Sequence, residues 1–109
     1  MQDQQDELLR AKLNQETATI PWRELERFFA AGKVIAVDDG LDLVQVAAAV
    51  SRDDKAAVEA WIAGQRLVKV SDEQAGAWLE ADALVWAVVV SPWILVQRDK
   101  GDKAQRVVH

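Results

Sequence analysis

Cysteine is absent from the chain, and the only histidine is His109, the last of 109 residues. Without cysteine there is no disulfide framework, no thiolate zinc site and no cysteine nucleophile. The position of His109 leaves the rest of the sequence without the usual general base and the commonest metal ligand. A serine nucleophile would lack a histidine partner there, and no glycine-rich phosphate loop is present. The sequence therefore predicts a non-catalytic protein with no cofactor and no metal.

Blocks of like charge are missing as well. The chain carries 13 Lys and Arg residues against 18 Asp and Glu residues, a net charge of −5. An acidic protein is repelled by nucleic acid and by anionic lipid unless its basic residues form a patch. The start, MQDQQDELL, lacks the basic and apolar regions of a secretory signal. We therefore expect a soluble cytoplasmic protein that makes no membrane contact.

The longest near-continuous apolar run is Ala83 to Val96, ALVWAVVVSPWILV, which only Ser91 and Pro92 interrupt. Leu84 to Val90 is apolar at every position, the pattern of a strand that is covered on both faces. Pro92 cannot lie inside a central ladder, so a second strand is predicted from Trp93 to Gln97. The two pieces form either a tight hairpin or one kinked strand. A membrane span needs roughly 20 mostly apolar residues, so buried strands are favoured.

Capping and turn residues divide the remainder into short elements. Short strands are predicted over residues 33–37 and 66–70. Capping boxes are predicted at Ser51 with Asp54 and at Ser71 with Gln74. The predicted helices are residues 3–18, a helix from Pro21 to a left-handed cap at Gly32, residues 43–50, residues 51–63 and residues 71–81. The front half of residues 43–50 also fits a strand. Turn and capping roles explain the aspartates at positions 38, 39, 42, 53 and 54 better than a cation site does.

These elements predict a single small α+β domain over residues 1–98. About four short strands should form one mixed sheet, with four to five helices packed on it. The segment from Leu67 to Val90 leaves room for a parallel crossover, which needs about a dozen residues. Residues 99–109 are polar and charged, and we expect them to be a disordered tail.

Two features predict contacts with a partner. Leu9 and Leu13 give a predicted helix a narrow apolar stripe, which suits either a peripheral helix of the domain or a helix that docks on a partner. Trp93, directly after Pro92, is the tryptophan expected to reach the surface, and exposed tryptophan is enriched at interaction hot spots. The favoured function is therefore a protein-interaction or regulatory domain, with a protein partner or self-association.

A nucleic-acid-binding helix-turn-helix over residues 43–70 is the alternative function. The apolar spacing there suits two helices packed at a steep angle. The candidate nucleic-acid contacts are Arg52, Lys55, Arg66 and Lys69. However, acidic residues 53 and 54 stand where the reading helix of such a module would meet phosphates. Nucleic acid is therefore the less expected partner.

Several stretches resemble an uncharacterised bacterial family known as domain of unknown function 2288. The resemblance rests on the helix start at Pro21-Trp22, LDLVQVA from Leu41, the helix from Asp53-Asp54 to Trp61, and VVVSPWILVQ near the end. It covers roughly residues 7 to 98. The resemblance implies no activity, cofactor or catalytic residue.

Overall fold

The computed structural model describes residues 2–99, with side chains from residue 4 onward. Residues 2–99 form five α-helices, one 3-10 helix and five strands. In chain order these elements are α1 (Gln2–Glu16), β1 (Ala18–Pro21), the 3-10 helix (Trp22–Leu25), α2 (Glu26–Ala30), β2 (Val34–Val37), α3 (Leu43–Ser51), α4 (Lys55–Ala63), β3 (Leu67–Lys69), α5 (Asp72–Glu80), β4 (Leu84–Val90) and β5 (Trp93–Arg98). The predicted disordered tail, residues 99–109, lies outside the described residues except for Asp99. None of the helices described has the length and apolarity needed to cross a membrane.

The strands join one mixed sheet in the order β1-β4-β5-β2-β3. β4 and β5 are antiparallel neighbours, and β5 runs parallel to β2 on its other side. The two edges are β1, antiparallel to β4, and β3, antiparallel to β2. The predicted α+β fold is therefore confirmed, with five strands in place of about four.

Helices cover both faces of the sheet. Successive strand residues point to opposite faces, so each central strand contributes apolar side chains to both. On the first face, Val88 and Leu95 pack with side chains of α1, α3 and α4. On the second face, Val85 and Val96 pack with the 3-10 helix, α2 and α5. The apolar run of β4 thus supplies two cores in alternation, as its pattern predicts, although Leu84 and Val89 remain exposed.

The first core is built around α3. Asp42 caps this helix by accepting the backbone N–H groups of Val44 at 2.9 Å and Gln45 at 3.3 Å. Residues 47–49, all alanine, are buried, and their short side chains let the helix pack closely on its neighbours. α1 packs against α3 and β4. Leu13 of α1 is only 5% exposed and belongs to this core.

Trp22 anchors the second core and is 1% exposed. Its ring centroid lies 5.0 Å from that of Trp78 and 5.8 Å from that of Phe29, the latter edge-on. Aromatic pairs of this kind contribute about 0.5–1.5 kcal/mol beyond their buried area. These ring contacts join the 3-10 helix, α2 and α5 into one layer over the sheet.

β4 and β5 form a tight hairpin, which decides between the two predicted arrangements. Ser91 and Pro92 connect the strands through a cis peptide bond, and Val90 lies opposite Trp93. The crossover predicted between residues 67 and 90 is also present in a wider form. α5 links β3 to β4, which run in the same direction but are separated by β2 and β5.

Two local predictions were wrong. Residues 18–21 are the edge strand β1, whereas the sequence predicted a helix starting at Pro21; proline is tolerated there because an edge strand leaves one side of its ladder unpaired. Ser51 ends α3 and does not cap α4. The cap is Asp54, whose carboxylate accepts the N–H of Ala57 at 3.2 Å.

Leu13→Ala is expected to lower the free energy of unfolding by about 2–5 kcal/mol, because it leaves a cavity in the first core. Leu8→Ala on the same helix is the matched control, since Leu8 is 66% exposed. Its truncation should change the free energy of unfolding by less than about 0.5 kcal/mol. Urea denaturation measures both values. Equal and small losses would show that α1 does not belong to the core.

Candidate functional site

An open apolar groove lies on the first face of the sheet, where α3 and α4 meet β2, β3 and β5. Its volume is about 550 Å³, within the range of roughly 300–1,000 Å³ typical of ligand pockets. The side chains that line it are apolar except for one lysine: Ile35, Val50, Val58, Ile62, Leu67, Val68, Lys69, Trp93 and Leu95. We call this surface the Trp93 groove.

Trp93 occupies the first position of β5, immediately after the hairpin turn. Alternation along the strand sends Trp93 and Leu95 to the first face and Ile94 to the second. The half-buried indole also borders a second hollow of about 460 Å³, which reaches Asp53, Lys55 and Glu59 near the start of α4. Trp93 therefore contributes to two adjoining concave surfaces.

The exposed part of the groove comes from α4 and β3. Val58 and Trp61 of α4 pack against the first core, whereas Ile62, one turn after Val58, is 54% exposed. Val68 of β3 is 45% exposed, but its side chain lies on the second face, the same side as its pair Ala36. Apolar side chains that stay exposed around a concave apolar surface are typical of interaction sites.

A polar crevice lies at the carboxyl ends of β2 and β5, around the turn that follows β2. Gln97 holds this turn, because its Nε2 donates to the carbonyl oxygens of Asp38 at 2.8 Å and Leu41 at 2.7 Å. Arg98, the next residue of β5, donates from Nε to Oδ2 of Asp39 at 2.6 Å. Since neighbouring strand residues point to opposite faces, the end of β5 holds the turn from both sides.

A second ion pair closes the crevice. Nη2 of Arg66, just before β3, donates to Oδ2 of Asp38 at 3.3 Å. The same oxygen accepts the backbone N–H of Gly40 at 2.9 Å. A Cβ atom at Gly40 would lie 2.9 Å from Nη2 of Arg66. Glycine at this position therefore leaves the space that the guanidinium occupies.

The structure places the predicted partner contacts in two different environments, the first core and the Trp93 groove. Leu13 is buried in the first core and Leu9 packs against it. The apolar stripe of α1 is thus used inside the domain, and the expectation that Leu13 contacts a partner is corrected on this ground. Trp93 lies in the groove and remains a candidate contact.

The four predicted nucleic-acid contacts do not form a basic stripe. Arg52 pairs with Asp6 of α1 at 3.1 Å and approaches Asp54 at 3.9 Å. Arg66 belongs to the polar crevice, Lys69 borders the Trp93 groove, and Lys55 borders the adjoining hollow beside Asp53 and Glu59. The exposed residues of α4, the reading helix in that interpretation, include three alanines: Ala56, Ala60 and Ala63. The alternative function gains no support from this surface.

The sequence did not indicate the exposure of Ile62. Helical spacing puts Ile62 on one apolar face of α4 with Val58 and Trp61, and such a face is usually buried. A nine-residue helix at the edge of a sheet can bury only part of such a face, so Ile62 is left exposed. No group of three His, Cys, Asp or Glu side chains within residues 2–99 is arranged to hold a metal ion.

The architecture defines a small α+β domain with helices on both faces of a five-stranded mixed sheet. The chain belongs to the family described as "Protein of unknown function (DUF2288)", which matches residues 8–98. It is also similar to the NMR solution structure of PA1075 from Pseudomonas aeruginosa, with 49% sequence identity over 84% of each chain and a TM-score of 0.73. No curated protein matches the chain. The family predicted from the sequence is confirmed, and it assigns no activity.

Gln97→Glu is expected to lower the free energy of unfolding by about 1–3 kcal/mol, because two turn carbonyls lose their donor and face a carboxylate instead. Gln45→Glu, at an exposed position of α3, makes the same change in charge and serves as the control. Urea denaturation compares the two variants. Equal stabilities would mean that Gln97 does not hold the turn.

Proposed function

We propose that the chain is a non-catalytic, cytoplasmic protein-interaction domain that binds its partner in the Trp93 groove. The observation that carries this proposal is the combination of a concave apolar surface with a half-buried tryptophan and the exposed Ile62. Hot spots of protein interfaces are enriched in tryptophan and lie in well-packed, desolvated pockets. The groove offers such a position to an apolar side chain of the partner.

The composition of the groove supports binding rather than chemistry. Lys69 is the single ionisable side chain among the residues that line it. General acid–base catalysis requires a proton donor or acceptor held within hydrogen-bond reach of the substrate. The aliphatic side chains supply hydrophobic burial instead, which favours association when an apolar side chain of the partner covers them.

The adjoining hollow defines the flank of the interface. It is bordered by Asp53, Lys55 and Glu59, so charged groups of both signs lie beside the apolar groove. An apolar centre with a polar rim is the usual anatomy of a protein interface. We therefore expect a partner with an apolar anchor side chain and polar flanking residues. The partner is either a different protein or a second copy of this chain.

Ile62→Glu is expected to abolish partner binding, since it introduces a carboxylate at an apolar interface without removing a buried side chain. Trp93→Ala should weaken binding by about 30-fold or more, the effect of losing a hot spot of at least 2 kcal/mol. Leu79→Glu is the matched control, because Leu79 is 47% exposed on α5 at the second face. The measurement is a quantitative pull-down. The tagged chain and each variant are incubated with native lysate and washed at high salt, and the amounts of retained protein are compared.

Sedimentation equilibrium of the same variants distinguishes the two kinds of partner. Self-association that Ile62→Glu abolishes and Leu79→Glu preserves would identify a second copy as the occupant. A different protein that binds the wild-type chain and Leu79→Glu, but not Ile62→Glu, would identify a heterologous partner as the occupant. A partner retained equally by all variants would contradict the groove as the site. A monomeric chain that retains no protein would contradict the interaction function itself.

A further inference from the structure

The polar crevice has features that the proposed interaction function leaves unexplained. It encloses about 260 Å³ and opens on the second face of the sheet, away from the Trp93 groove. Its walls come from the turn after β2, the residue before β3, the end of β5 and the side chains of Gln74 and Trp78 on α5. Residues from four separate parts of the chain therefore converge on one small space.

The topology places this space where sheets containing parallel strands usually bind ligands. β2 and β5 form the parallel pair, and the crevice lies beyond their carboxyl ends. At this end of the sheet the chain leaves β2 for α3 on the first face, whereas it enters β4 from α5 on the second face. In open α/β sheets, ligands bind in the crevice outside the carboxyl ends of the strands, and β2 and β5 present such an end to this space.

Charges of both signs line the crevice. Arg66 pairs with Asp38 at 3.3 Å, and Arg98 pairs with Asp39 at 2.6 Å. All four side chains keep substantial contact with solvent. A guanidinium has five N–H donors in a fork that matches a carboxylate, and an aspartate offers two acceptor oxygens to an ammonium group. The array therefore presents complementary partners to an anion and a cation at once.

This balance selects against ligands that carry a single charge. A simple anion would be attracted by two guanidinium groups but repelled by two carboxylates. A simple cation would be attracted by the carboxylates but repelled by the guanidinium groups. A molecule with both an ammonium and a carboxylate group can satisfy each sign with its opposite. The floor is apolar, formed by Ala36, Val96 and the ring of Trp78, and it suits a short aliphatic chain between or beside the two charges.

The ion pairs exceed what is needed to hold the turn. Gln97 already fixes it by two hydrogen bonds of 2.8 and 2.7 Å. Exposed ion pairs contribute only about 0–1 kcal/mol to stability. In addition, Gly40 leaves room for the guanidinium of Arg66, which a methyl group there would displace.

We propose that the polar crevice binds a small zwitterion of the free amino acid class, with its carboxylate facing Arg66 and Arg98 and its ammonium facing Asp38 and Asp39. The crevice, at about 260 Å³, is smaller than the roughly 300–1,000 Å³ typical of pockets for drug-sized ligands, so we expect it to favour short side chains. This binding is independent of the Trp93 groove, which lies on the other face.

The test is an NMR titration of the ¹⁵N-labelled chain with glycine, L-alanine and L-serine, each raised to about 20 mM, a range that detects dissociation constants of about 1 mM. Acetate and methylammonium, matched in ionic strength, supply one charge each. L-tryptophan probes the size limit. We expect saturable shifts of the amides around Asp39, Gly40 and Gln97 with at least one small amino acid, and no saturation with the other three compounds.

Variants separate the crevice from non-specific binding. Arg98→Gln and Asp39→Asn should each weaken binding about tenfold or more, because each removes a charge-assisted hydrogen bond to the ligand. Gly40→Ala keeps all four charges but displaces Arg66, and should weaken binding as well. Arg23→Gln is the control, because Arg23 forms an exposed ion pair with Asp82 at 2.7 Å outside the crevice. It should leave binding unchanged.

Three results would overturn the proposal. The first is the absence of saturable shifts with every amino acid tested. The second is equal saturation by acetate, which would define an anion site instead. The third is unaltered binding by the folded Arg98→Gln, Asp39→Asn and Gly40→Ala variants. None of these results bears on partner binding in the Trp93 groove, which the Ile62→Glu and Leu79→Glu pair tests separately.

Discussion

Burial of β4 and β5 on both faces is the constraint on which the other elements depend. Val85, Val88, Leu95 and Val96 are each no more than 1% exposed, although they point alternately to opposite sides of the sheet. Helices must therefore cover two surfaces with fewer than 100 described residues. Helices α3, α4 and α5 have nine residues each, which gives a length of about 14 Å. Five strands spaced about 4.8 Å apart span about 19 Å, so none of these three helices spans the width of the sheet, and the Trp93 groove lies where cover is incomplete.

Local signals predicted the elements that local interactions determine. Asp42 and Ser71 were predicted as caps, and each carboxylate or hydroxyl accepts a backbone N–H of its helix. Gly32 was predicted as a left-handed cap and has φ of 75°. The run from Leu84 to Val90 predicted a strand covered on both faces. By contrast, β1 consists of four residues whose strand conformation depends on pairing with β4, more than 60 residues later in the chain, and nothing in ATIP alone specifies that pairing.

The candidate sites also combine features that local sequence predicts with features that depend on contacts between distant segments. The position of Trp93 after a turn-forming proline predicted a partly exposed tryptophan, and the structure places it in the groove. An apolar stripe such as Leu9 and Leu13 cannot indicate whether the surface it meets belongs to the same chain. The polar crevice depends on pairs separated widely in sequence, such as Arg98 with Asp39, 59 positions apart. Such pairs follow from topology, and topology was not available from spacing or composition.

The place of β5 in the sheet has a consequence for synthesis on the ribosome. β5 is the last strand of the described chain, yet it lies in the centre of the sheet, between β4 and β2. Before it emerges, β1 with β4 and β2 with β3 are two separate pairs, and each has an open inner edge of unpaired backbone groups. Open edges of this kind invite pairing with other chains. The nascent protein is therefore most prone to aggregation just before its final strand inserts, and that single insertion joins the two halves of the sheet.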